Sequence, residues 1–198
     1  MHSYKDLRSA AVTLTIQILS IIFSILLALS LNDWRESRNN QQLVLTTLKN
    51  FRTELGNNKK AIEAALMDQK EFMKSMQNQT LAQPDRKKAK TIALPEINMP
   101  DVLTTAWETA LVTKAMVHMD YDLIVGLSEL YHQQKWLISL EDKVFQAILS
   151  PSSYEKKNDE NLVRSLYISL KNIMEVERKL LSLYDTAIQR LDSLMRDH

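Results

Sequence analysis

The sequence predicts an all-α chain: one N-terminal transmembrane helix followed by an antiparallel helical bundle of four or five helices. Three observations carry this reading. Glycine occurs twice and proline four times in 198 residues, too few for the turns a sheet protein needs. A run of 22 residues, Ala10 to Leu31, carries no charge. Beyond it, apolar residues recur at helical spacing to the C-terminus.

The elements follow in order. Residues 1–9 form a short polar leader. Residues 10–31 span about 33 Å as a helix, enough for a hydrocarbon core of roughly 30 Å. Lys5 and Arg8 precede the span, and Asp33, Arg35, Glu36 and Arg38 follow it. Tyr4 and Trp34 stand just beyond its ends, where amphipathic rings favour the headgroup zone. Ala28-Leu29-Ser30 offers a signal-peptide cleavage site, but cleavable apolar cores run about 7–15 residues, so the span reads as retained. The basic residues flanking it are nearly balanced and do not set its direction. A short leader places the N-terminus in the cytoplasm of a bacterial cell and the bulk of the chain outside the inner membrane.

Within the span, Thr13, Gln17, Ser20 and Ser24 share a helix face, and Ser20, Ser24 and Ala28 form a small-residue series. Such a stripe permits close helix approach, and an amide such as Gln17 hydrogen-bonds across helices in lipid. The competing reading has the serines bonding back to their own helix.

Residues 32–42 are polar apart from Trp34 and lack a helix breaker, which suits a helical neck of about 16 Å. Residues 43–198 form the soluble bundle. Val44, Leu48, Phe51, Leu55, Ile62, Ala65 and Met76 hold a helical period, and Gly56-Asn57-Asn58 either divides that helix or is tolerated within it. A loop at about 80–100 carries Pro84, Pro95, Pro100 and the basic run Arg86-Lys87-Lys88-Ala89-Lys90. Asp101 suits the N-cap of a short helix to about Met119, and Asp120 that of a longer one, Tyr121 to Leu149. Pro151-Ser152-Ser153 breaks the chain. Asn158-Asp159-Glu160 opens the last helix with acidic residues where the dipole favours them.

Taking out the first 31 residues with Lys5, Arg8 and Asp6 leaves 23 basic and 23 acidic side chains. This neutral part offers no footprint for nucleic acid. Cysteine is absent, so disulfides and thiol chemistry are excluded. Two glycines make no phosphate loop. Glu129-x-x-His132 is the one metal-like pattern, and helical di-metal sites use it twice with two further glutamates. No catalytic, cofactor or metal site is therefore expected. Trp107, Trp136, Tyr121, Tyr131 and Tyr167 read as core or rim aromatics, or as the lining of a ligand pocket.

Two stretches carry a family resemblance. Ile25-Leu26-Leu27-Ala28-Leu29 running into Asn32-Asp33-Trp34-Arg35-Glu36-Ser37-Arg38 resembles the opening of a bacterial family of single-span membrane proteins with a domain of unknown function. Its span ends in an Asn-Asn-Trp-x-Glu-x-Arg-like run. Thr104-Thr105-Ala106-Trp107-Glu108-Thr109-Ala110, with Asp120, Leu123 and Leu130-Tyr131 after it, is similar to that family's second helical block. There the family closes on a small-residue turn, and Leu111-Val112-Thr113-Lys114 replaces it here. The resemblance implies a bacterial membrane protein with an exported helical domain. It singles out Trp34, Glu36, Trp107 and Glu108 without assigning them an activity.

The function expected is non-enzymatic: a membrane-anchored interaction or scaffold protein, in contact with membrane lipid, that self-associates or docks onto an envelope complex, its partner a second copy or another membrane protein. The alternative is a ligand-sensing helical domain that signals through a partner membrane protein.

Overall fold

A computed structural model describes residues 3–81, 98–149 and 160–196, and their side chains over 14–77, 98–149 and 164–196. All regular structure among these residues is helical: α1 (Ser3–Leu81), α2 (Thr105–Val112), a 3-10 turn (Ala115–His118), α3 (Tyr121–Leu149) and α4 (Glu160–Arg196). The basic run at 86–90 and the Pro151-Ser152-Ser153 break lie outside the described residues.

The chain divides into two units, Met1–Val44 and Leu45–His198. In the first, α1 exposes its apolar side chains all round. Leu14, Ile21, Phe23, Leu27 and Leu31 are each more than half exposed. An 18-residue window of α1 reaches a mean hydropathy of 2.4 with none of it buried. A helix that is apolar on every face and packs against nothing has the composition and length to cross a bilayer.

In the second unit, three long helical segments share one core. Arg52 meets Asp192, Gln69 meets Glu177 and Gln77 meets Tyr167, so α1 and α4 run antiparallel. Asp120 at the start of α3 meets Arg190 near the end of α4, which makes that pair antiparallel too. Phe51, Leu55, Ile62 and Ala65 of α1, Leu127, Leu130 and Leu137 of α3, and Leu170, Ile173, Leu180 and Leu191 of α4 are almost wholly buried. Their spacings of three, four, seven and eleven place them on single helix faces, and their burial supplies most of the stability.

Gly56 does not divide α1. The helix runs through it, and a Cβ at that position would meet nothing within 4 Å. Asp120 caps α3 as its position suggests, accepting the Leu123 N–H at 2.8 Å. The short helix departs from expectation. Asp101 does not cap it; residues 98–104 are non-helical and α2 begins at Thr105. The physical reason is a tertiary hold on Leu103, described below, that keeps the backbone out of the helix up to Thr104. Lys114, beyond α2, has φ 57° and ψ 20°, the sole positive φ among the described non-glycine residues. A turn thus stands where small residues would be expected, built by a side chain in the left-handed region at a cost of about 1 kcal/mol.

Candidate functional site

Two surfaces and one internal polar frame stand out. The frame begins at Glu54, which occupies a core-facing position of α1 and is 7 % exposed. Its Oε2 accepts the Ala106 backbone N–H at 2.7 Å, and its Oε1 accepts the Tyr131 hydroxyl at 2.7 Å. Thr104, the residue at the α2 N-cap, makes no side-chain cap bond. A carboxylate from α1 therefore does a capping residue's work, with its negative charge where the helix dipole favours it.

One turn on, Asn58 grips the non-helical lead into α2. Its Oδ1 accepts the Leu103 N–H at 2.9 Å and its Nδ2 donates to the Leu103 carbonyl at 2.8 Å. Gln134 Nε2, from α3, donates to the same carbonyl at 3.1 Å. Trp107 lies 5.2 Å from the Tyr131 ring and 6.4 Å from Phe51, closing the aromatic side of the frame. Burial, then the bond to Glu54, pushes the Tyr131 phenol above its ordinary range. Tyr184 is also raised by burial, and its hydroxyl lies near Asn58 without an ordinary hydrogen bond.

The frame holds Leu103 and Ala106, which lead into the segment that carries the first surface. Leu111, Val112, Val117, Tyr121 and Val125 are exposed, with Val112 at 83 %, Val117 at 76 % and Tyr121 at 75 %. These five large apolar side chains are exposed within fifteen residues of chain. His118 and Glu129-x-x-His132 are exposed as well, and no group of three metal-ligating side chains occurs among the described residues.

The second surface is the polar stripe of α1. Gln17, Ser20, Ser24 and Ala28 are exposed, and Ser24 Oγ donates to the Ser20 carbonyl at 2.8 Å. For Ser24 the back-bonded reading is the observed one. Tyr4 and Thr13 lie within α1, with side chains outside the described residues. Trp34 is exposed, with the Arg38 guanidinium 5.2 Å from its ring, and Glu36 is exposed beside it. Glu108 is exposed and accepts the Thr104 hydroxyl at 2.9 Å. Among the residues singled out by the family resemblance, only Trp107 joins the buried frame.

Sequence reasoning did not pick out Glu54, Asn58, Gln69, Gln134, Glu141 or Glu177. The signal was a polar residue on an apolar stripe. Asn58 falls between Leu55 and Ile62, Gln134 between Tyr131 and Leu137, and Glu177 between Ile173 and Leu180.

A groove of about 160 Å³ lies between α3 and α4, lined by residues including Leu140, Lys143, Val144, Leu166 and Asn172. Neither Trp107 nor Trp136 lines it. Comparison with protein-family models, curated proteins and solved structures gives no match to this chain.

Proposed function

We propose that this is a membrane-anchored, non-enzymatic interaction protein of the bacterial inner membrane. In this reading residues 10–31 cross the lipid, the N-terminus is cytoplasmic, and the helical domain lies on the exported side and self-associates or docks onto an envelope complex. The observation that carries the reading is the unburied apolar length of α1, which has no stable place in water. The exposed Leu111–Val125 segment supplies a docking surface on the domain, held in shape by Glu54 and Asn58. The family resemblance at Trp34, Glu36, Trp107 and Glu108 agrees with this assignment. Ligand sensing through a partner is the second reading, favoured by the α3–α4 groove. Its volume falls well below the roughly 300–1,000 Å³ of ordinary ligand pockets, which ranks it behind docking.

Membrane fractionation followed by chemical cross-linking tests the proposal. The full chain is expected to stay with the membrane through an alkaline carbonate wash and to give a discrete cross-linked species. An Ile21→Lys, Leu26→Lys variant is expected to lose the first property. Release of the parent chain by the wash, or a lone monomer after cross-linking, would overturn the reading.

A further inference from the structure

A second polar centre sits deeper in the helical domain, between α1, α3 and α4. Gln69 of α1 is 1 % exposed and Glu177 of α4 is 0 % exposed. Gln69 Nε2 donates to Glu177 Oε1 at 2.9 Å and to the Asn98 carbonyl at 3.3 Å, which uses both of its protons. Among the described residues, three buried oxygens are then left as acceptors with no donor: Gln69 Oε1, Glu177 Oε2 and, from α3, Glu141 Oε1. Stranding buried acceptors on three packed helices is costly, and charging two carboxylates among them costs more.

Among the described residues, the one cation acting on this pair is the exposed Arg178. Facing Glu141 are Glu177 and, on its own helix, Asp142. Facing Glu177 are Gln69 and Arg178, and Arg178 is exposed and acts from a distance. On α1, Asp68 beside Gln69 accepts the Asn98 Nδ2 proton at 2.7 Å. The centre is therefore rich in acceptors and poor in donors. A dehydrated divalent ion would demand about six oxygens in a defined shell, more than two carboxylates and one amide offer. A proton turns one acceptor into a donor and removes one charge at once, with no further room required.

We propose that the buried Glu177 and the half-buried Glu141 form a proton-binding site, and that release of its proton loosens the packing of α3 against α1 and α4. Burial, reinforced by the Glu177 charge, pushes Glu141 from 4.5 up to about 8. Burial pushes Glu177 up to about 7 against the opposing bond from Gln69. Both acids bind protons more tightly folded than unfolded. Their stabilisation is complete below pH about 4.5 and is lost as pH rises through about 7 to 8. The helical domain thereby becomes a reporter of alkaline pH in its compartment.

The test is thermal unfolding of the full-length protein in detergent at pH 5.5 and pH 9. The parent chain is expected to melt several degrees lower at pH 9, and a Glu141→Gln, Glu177→Gln variant to melt equally at both. Equal melting of the parent at the two pH values, or an undiminished difference in the double variant, overturns the proposal. Should the double variant fail to fold, infrared difference spectra of the parent and of Glu141→Gln serve instead. A protonated-carboxyl band present at pH 5.5 and lost by pH 9, weakened in the single variant, supports the site; its absence from the parent overturns it. Excess calcium forms the last arm. Stabilisation of the parent at pH 9 that the Gln variants lack would replace the proton with a metal ion.

Discussion

The carboxylate of Glu54 in α1 accepts the hydroxyl of Tyr131 in α3 at 2.7 Å while its other oxygen caps α2 through Ala106. One side chain thus ties three helices.

Glu54→Ala is expected to strand two buried donors at roughly 1–3 kcal/mol each. Glu54→Gln, which keeps the shape and part of the acceptor capacity, is expected to lose less. Denaturant unfolding of the full chain in detergent checks the order. Equal stability of Glu54→Ala and the parent would show that the frame does not hold the domain.

Asn58→Ala removes both bonds to Leu103 and leaves its N–H without a partner. Amide exchange at Leu103 and Ala106 is expected to accelerate well before exchange in the α3–α4 core does. Unchanged exchange at Leu103 would assign the segment's order to something other than this clamp.

Gly56 has helical backbone and open space where a Cβ would stand. Gly56→Ala is expected to stabilise the domain by about 0.5–1 kcal/mol, chiefly through the unfolded chain. Lys114→Gly is expected to stabilise by a similar amount, because glycine adopts φ 57° freely. Melting temperatures read both, and destabilisation by either substitution would contradict the backbone assignment at that position.

Alkaline titration separates two tyrosines from the rest. Tyr131 and Tyr184 sit above their ordinary value of 10.0, mainly through burial. Their contribution to stability is present below pH 10 and is lost as pH climbs beyond it. Absorbance titration is expected to leave these two of the six tyrosines protonated until the helices melt. All six titrating together with helicity intact would contradict their burial.

Much of the helical layout was legible because it rests on local rules. Residues such as Leu55, Ile62, Leu127, Leu180 and Leu191 announce their faces by spacing, and Asp120 announces its cap by chemistry. The start of α2 was not legible at Asp101, since the hold of Asn58 on Leu103, 45 residues further along the chain, decides it. Glu54 as the cap of α2 is equally non-local. Lys114 in a left-handed turn runs against its own preference, so no local rule selects it. The polar stripe of α1 showed its face in the sequence, whereas the choice of Ser24 to bond Ser20 is a rotamer choice that spacing leaves open.

The decisive measurement is photo-cross-linking in native membranes from a reactive side chain placed at Val117, with one at His132 on the polar part of α3 as the reference. Both positions are exposed, so both probes are free to react. A single discrete adduct from Val117, absent from His132, is the result expected of a docking surface at the Leu111–Val125 segment. Adducts of equal yield from both positions, or none from Val117, would contradict it.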